Sequence, residues 1–160
     1  MKAERVFVGL GANLGDAGAT LRQVLARLDA LTGTRLIAAS PLYRSAPLDA
    51  AGPDFINAVA ELSTSVEPMP LLQALQAMEL EHGRERPYHH APRTLDLDLL
   101  LYGQRVMHSA ALQLPHPRLH QRAFVLLPLL ALAPDLQHPG LGPLQDWLAG
   151  VHEQTIEQVP

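Results

Sequence analysis

Residues 95–102 read Leu95-Asp96-Leu97-Asp98-Leu99-Leu100-Leu101-Tyr102. Leucine at each odd position, with aspartate at 96 and 98, has a period of two, the repeat of a β-strand whose successive side chains leave opposite faces. The segment therefore predicts a strand with Leu95, Leu97, Leu99 and Leu101 buried on one face and Asp96 and Asp98 projecting together from the other. The two aspartates then sit roughly 7 Å apart. Like charges on one face repel unless a cation lies between them, and hard oxygen ligands suit Mg2+, which usually keeps waters and substrate phosphates as its other ligands. The same pattern also fits two aspartates on the wet face of a half-exposed antiparallel sheet.

Working upstream, the loop 84–92 delivers Arg93 three residues before Asp96, so a cation and an acidic pair arrive at one loop-to-strand junction. Before that loop, Leu71, Leu72, Leu75, Met78 and His82 line one helical face, with Pro70 suited to the first turn and Gly83 to the end. Strands are predicted over 36–44 and 55–63, joined by the loop 45–54, whose prolines and glycine exclude a ladder. Leu21, Val24, Leu25, Leu28 and Leu31 predict a first helix, with Gly33 as a left-handed C-terminal cap. A first strand over 5–10, with Val6, Val8 and Leu10 on one face, precedes it and leads into a glycine-rich turn over 9–16.

The order strand, helix, strand, strand, helix, strand predicts an α+β fold, a ferredoxin-like α/β sandwich with a mostly antiparallel sheet and both helices on one face. An extra C-terminal helical segment is expected in the proline-rich remainder, with one helix over 122–133 interrupted by Pro128. No linker or repeat divides the sequence, and a single domain over 1–160 is expected.

Composition narrows the chemistry. A chain of 160 residues can bury roughly 70% of the surface that its unfolded form exposes. With 48% apolar and 18% charged residues, an ordered fold is expected. There is no cysteine, which removes disulfides, thiolate metal sites and cysteine nucleophiles. The net charge of −4 argues against nucleic acid as a partner, and no apolar run suits a membrane. A cytoplasmic monomer is expected. Lys2 is the only lysine, while Arg84, Arg86, Arg93, Arg105, Arg118 and Arg122 fall within one stretch. Any phosphate must therefore be held by arginine, whose rigid fork pairs bidentately with phosphate oxygens.

Known nucleotide fingerprints fail. Gly9 and Gly11 match the first two glycines of a dinucleotide motif but Leu14 stands at the third, and no Gly-Lys pair makes a P-loop. Zinc is an alternative raised by His89-His90 and by His116 and His120, but no His-Glu-x-x-His is present. Phe55 and Asn57 share a strand face and pair an aromatic plate with an amide, a combination that seats a flat heterocycle or simply joins a core.

The stretch 89–100, His-His-Ala-Pro-Arg-Thr-Leu-Asp-Leu-Asp-Leu-Leu, closely resembles the 6-hydroxymethyl-7,8-dihydropterin pyrophosphokinase family. The segments 9–15, 43–48, 55–58, 79–84 and 115–116 support the likeness, which covers about 6–134. The resemblance implies transfer of pyrophosphate from ATP to 6-hydroxymethyl-7,8-dihydropterin, with two Mg2+ ions on Asp96 and Asp98. It implies nucleotide contacts from Arg84, Arg93, His116 and Arg122, with Glu79 beside the nucleotide. It further implies a pterin site in which Asn57 reads the ring edge, Phe55 and Phe124 sandwich the ring, and Ser45, Ala46, Pro47 and Leu48 supply backbone contacts. Loops 45–54 and 84–92 would act as lids. His89-His90-Ala91 stands where many relatives carry Arg-Trp-Gly, which makes a pH-dependent nucleotide affinity through His89 an expectation.

Overall fold

A computed structural model describes residues 2–13, 15–46, 53–83 and 95–160. The elements run β1 (Glu4–Ala12), α1 (Ala17–Asp29), β2 (Thr34–Ala39), β3 (Tyr43–Ser45), β4 (Phe55–Thr64), α2 (Pro68–Gly83) and β5 (Asp96–Tyr102). Then come β6 (Met107–His108), β7 (Gln113–Leu114), α3 (Ala123–Leu132), β8 (Gln137–His138), β9 (Gly142–Pro143) and β10 (Ile156–Gln158). Short 3-10 segments at Leu119–Gln121 and Leu144–Val151 flank α3 and β9.

The main sheet has the order β10-β3-β4-β1-β5, with β2 also on β4, and every pairing in it is antiparallel. This is the expected α+β sandwich, since α1 and α2 bury Leu21, Val24, Leu28, Leu71, Leu75 and Met78 in the same core. Asp16 starts α1 by accepting a hydrogen bond from the Ala19 N–H at 3.1 Å, an ordinary N-cap. Gly33 does not cap that helix as expected. Ala30 does so in a right-handed conformation, and Gly33 takes its positive φ of 70° in the following turn into β2.

The strand expected over 36–44 is two strands. Pro41 has no N–H for a ladder, so β2 pairs with the C-terminal half of β4 and β3 with its N-terminal half. Ser40 spans the break: its N–H donates to the Val59 carbonyl and its hydroxyl accepts from the Val59 N–H, both at 2.9 Å.

The sheet buries both faces. Toward α1 and α2 lie Val6, Val8, Leu10, Ala58, Ala60, Leu62, Leu95, Leu97, Leu99 and Tyr102. Toward α3 lie Phe7, Val59, Leu100 and Leu101. Leu101 was expected beside Leu99, but a bulge between Phe7 and Val8 in the β1–β5 register leaves Leu100 and Leu101 together on the α3 side. An extra residue in one strand reverses the alternation beyond it, and Tyr102 thereby turns into the first core, where its hydroxyl reaches the Val66 carbonyl. Pro128 does not interrupt α3, which continues through it to Leu132. That helix buries Val125, Leu126, Leu129 and Leu130 between the sheet and the C-terminal segment.

Candidate active site

The floor of the site is a row across the strands. Asp96 of β5 lies opposite Gly11 of β1, Gly11 opposite Asn57 of β4, and Asn57 opposite Tyr43 of β3. In the next same-face row Asp98 lies opposite Gly9, and Gly9 opposite Val59. Directly paired residues share a face, so both aspartates and Asn57 project on the α3 side with only glycines between them. Gly9 and Gly11 were expected in a turn; they are inside β1, which runs on to Ala12. Their use is the missing side chain. A Cβ on Gly11 would stand 3.3 Å from Asn57 Oδ1 and 3.8 Å from Phe55 Cδ1, so glycine keeps open a slot walled by an amide and an aromatic ring.

Asn57 is 4% exposed and held from behind. Its Nδ2 donates to Ser45 Oγ at 2.7 Å and, at 3.5 Å, to the Tyr43 carbonyl, which leaves Oδ1 on the Gly11 side. Phe55, half-buried, shares its face two residues earlier. Ala46 is exposed at the end of β3. Phe124 belongs to the first turn of α3 and packs, half-buried, against the cluster of Phe7, Val59 and Leu100. The Arg122 guanidinium lies 5.7 Å from the Phe124 ring centre, within cation–π range.

Two groups occupy the outer edge of β5 on either side of Asp98. Glu79, from α2, accepts the Leu97 N–H at 2.8 Å, and the His116 N–H donates to the Leu100 carbonyl at 2.8 Å. Both satisfy backbone groups that an edge strand otherwise leaves open. His116 Nδ1 accepts from the Arg118 N–H at 3.2 Å, so the neutral ring carries its proton on Nε2 and presents a donor. Burial pushes the His116 pKa down, Asp98 opposes this, and Arg122 and Arg118 reinforce it. The imidazole is neutral at pH 7. Beside it, a cavity of about 260 Å³ is lined by Leu72, Leu97, Asp98, Leu112, Gln113 and His116 among others. Leu72 was expected only as core, and Leu112 and Gln113 carry no sequence signal that distinguishes them from ordinary strand and loop residues.

The structure thus brings Asp96, Asp98, Glu79, His116, Arg122, Ser45, Asn57, Phe55 and Phe124 to one side and edge of the sheet. Arg84, Arg93, Pro47 and Leu48, with His89 and most of both expected lid loops, lie outside the described residues. Among the described residues no group of three or more histidines, aspartates or glutamates forms a metal cluster. His116 feels the charges of Asp98, Arg118 and Arg122, while His89 and His90 lie outside the described residues. No helix there is long and apolar enough to cross a membrane.

An antiparallel α+β sandwich carrying paired aspartates, two glycines and a buried amide on one face places the chain among ferredoxin-like α/β proteins. The chain belongs to the 7,8-dihydro-6-hydroxymethylpterin-pyrophosphokinase family, whose model matches residues 7–134. It is 46% identical over 158 residues to 2-amino-4-hydroxy-6-hydroxymethyldihydropteridine pyrophosphokinase of Pseudomonas aeruginosa, covering 98% of each chain. The enzyme of that name from Haemophilus influenzae is 40% identical over 134 residues, 83% of this chain and 84% of that one. Among solved structures, an HPPK-DHPS in complex with substrates superposes with a TM-score of 0.74 at 11% identity, over 96% of this chain. Wild-type Plasmodium falciparum HPPK-DHPS gives 0.71 at 13%. The chain spans 44% and 42% of the length of those two proteins, and the likeness to them is one of fold.

Proposed function

We propose that this chain transfers the pyrophosphoryl group of ATP to 6-hydroxymethyl-7,8-dihydropterin, a step of folate biosynthesis, with Asp96 and Asp98 holding two Mg2+ ions. The observation that carries the reading is the placement of both aspartates on one open face, across a floor of two glycines from the buried Asn57 amide. The donor set fits magnesium. Mg2+ is commonly bound by one or two carboxylates together with waters and substrate phosphates rather than by an all-protein cage, and no larger ligand cluster accompanies this pair among the described residues. When bound, the ions neutralise phosphate charge and act as Lewis acids on phosphoryl oxygens.

The chain's own residues do the positioning. Asn57, locked by Ser45, offers the pterin edge an amide in fixed orientation, while Phe55 and Phe124 supply aromatic faces. On the family's pattern, the segment Ser45, Ala46, Pro47 and Leu48 would offer the pterin backbone contacts. The cleft of Leu72, Leu97 and Leu112 beside β5 suits the nucleotide base, near Glu79. The His116 Nε2–H and Arg122 donate to phosphate oxygens, and on the family's pattern Arg84 and Arg93 would add to them. The pterin hydroxyl oxygen attacks the β-phosphorus, the bond from that phosphorus to the α–β bridging oxygen breaks, AMP leaves, and the hydroxyl proton passes to solvent. In-line alignment and charge neutralisation suffice for such a transfer, without a nucleophilic side chain. The chain acts as one unit over 1–160, as a cytoplasmic monomer that takes neither nucleic acid nor membrane as partner.

The test is direct. The chain is incubated with ATP, the pterin alcohol and Mg2+, and AMP and pterin pyrophosphate are quantified. Equimolar products that vanish with a chelator are expected. Ligand binding without AMP would instead make the chain a binding module.

A further inference from the structure

The pocket's two walls come from distant parts of the chain, β3–β4 on one side and the first turn of α3 on the other, and one residue touches the backbone of the second wall on both sides of Arg122. Gln154 Oε1 accepts the Ala123 N–H at 2.9 Å, and its Nε2 donates to the Gln121 carbonyl at 2.8 Å. A single amide thus brackets the Arg122 residue. The bracket matters locally because the first amides of a helix have no partner within it. Arg122 occupies the N-cap position of α3 with an extended backbone, φ −123° and ψ 117°, and gives no side-chain cap. Gln154 supplies that cap from outside the helix. Its own N–H is tied to the Val151 carbonyl at 3.0 Å, so the side chain starts from a fixed point.

Two residues later the same segment becomes β10 and pairs with β3: Ile156 lies opposite Ser45, Glu157 opposite Arg44 and Gln158 opposite Tyr43. The Val159 N–H then donates to the Leu42 carbonyl at 2.8 Å. Ser45 and Tyr43 are the residues whose oxygens hold the Asn57 amide. Six residues of tail therefore join the N-terminus of α3, which carries Arg122 and Phe124, to the strand that fixes Asn57.

We propose that Gln154 is a positioning residue of the active site: its amide sets the direction in which Arg122 and Phe124 leave the start of α3, while the strand it leads into registers that wall against Ser45 and Asn57. The proposal rests on the pyrophosphokinase reading, and deepens it. Arg122 is the phosphate contact and Phe124 the pterin contact, so loosening the bracket should weaken both ligands together, a coupling that loss of either side chain alone would not produce.

The experiment compares Gln154→Met, of similar length but without hydrogen bonds, with Gln154→Glu, which keeps an acceptor for the Ala123 N–H. Steady-state kcat and the KM of each substrate are measured well below each variant's Tm. The Met variant should raise both KM values about tenfold, since it removes both hydrogen bonds of the bracket, with kcat changed less than about threefold. The Glu variant should bring both KM values back to within about threefold of wild type, since a carboxylate is also favoured at a helix N-terminus. Glu157→Gln, which removes the exposed ion pair between β10 and Arg44 of β3, should change neither. A Met variant with wild-type KM values but a lowered Tm would reduce Gln154 to a structural residue, and equal impairment in Met and Glu would rule out capping as the cause. Should the Met variant not fold, hydrogen exchange of the Ala123 amide in the unliganded wild-type chain decides: protection supports the bracket, and exchange at the rate of an open first-turn amide overturns it. A wild-type chain that forms no AMP would sink the pyrophosphokinase reading itself, a result separate from all of these.

Discussion

The face of the sheet under α1 and α2 is packed with buried side chains from end to end, whereas the face under α3 is packed along only half of its length. Val6, Val8 and Leu10 of β1 all bury on the first face. On the second, Phe7 buries against α3 but the next two positions of that face are Gly9 and Gly11, flanked by Asp98, Asp96 and Asn57. The same strands therefore divide their two sets of alternate side chains: one set is spent on stability, and the other carries stability at one end and chemistry at the other. The contrast implies that changes on the first face act on folding with little effect on turnover, and changes at the open end of the second do the reverse.

The strongest test of that division is to remove the carboxylates. Asp96→Ala and Asp98→Ala should each lower kcat/KM by at least about 10³-fold, because metal charge stabilisation is worth several kcal/mol and each 1.36 kcal/mol is a factor of ten. Tm should stay near wild type, since both side chains are only half-buried. Retained turnover in either variant would break the assignment. The converse is Leu62→Ala, a fully buried residue of β4 on the first face. Chemical denaturation should show a loss of about 2–5 kcal/mol, while kcat measured at low temperature stays within about twofold. A large fall in kcat there would mean that the two faces are not separable.

Much of this arrangement was legible in residues 95–99, because a strand's period of two fixes which side chains share a face whatever the rest of the fold does. Legibility ended where the periodicity is broken by something non-local. The bulge that sends Leu101 to the α3 side depends on pairing with β1 and leaves no mark in the leucine run itself. Pro41 is a local signal of the break, since its lack of an N–H divides 36–44 into two strands. The glycines at 9 and 11 look like turn formers in the sequence because glycine's freedom of φ is the commoner reason for its presence, yet here the reason is the space left by its absent side chain. Gln154 was invisible for a related cause: a glutamine 31 residues from its partner Ala123 has no sequence periodicity to betray it.

A finer probe separates the two glycines. At Gly11 an added Cβ comes within 3.3 Å of Asn57 Oδ1, closer than ordinary contact, so the amide must shift; at Gly9 the nearest atoms are Leu100 methyl carbons at 3.5 Å, an ordinary contact. Gly11→Ala should raise the pterin KM about tenfold, the equivalent of roughly 1.4 kcal/mol, and leave the ATP KM within about twofold. Gly9→Ala should leave the pterin KM unchanged. Equal effects on the two substrates, or a larger effect at Gly9, would mean that the slot beside Asn57 does not receive the pterin.

The smallest expected effect concerns a histidine remote from the aspartates. Burial lowers the His138 pKa, and neighbouring His120 lowers it further. His138 Nδ1 accepts from the Gly140 and Leu141 N–H groups, both at 3.0 Å, an arrangement that only an unprotonated Nδ1 permits. The unfolded chain therefore binds this proton more tightly than the folded one. Its contribution to stability is complete above the ordinary histidine value of 6.5 and is lost as pH falls through the lowered folded value. Thermal melts of the wild type should accordingly drop between pH 7 and pH 5, and His138→Gln should drop less steeply, with kcat at pH 7.5 unaffected. His116 has its pKa lowered by burial as well and persists in the variant, so some acid sensitivity should remain. A variant whose melts follow the wild-type curve at every pH would show that the turn at 138–141 accepts the proton without strain.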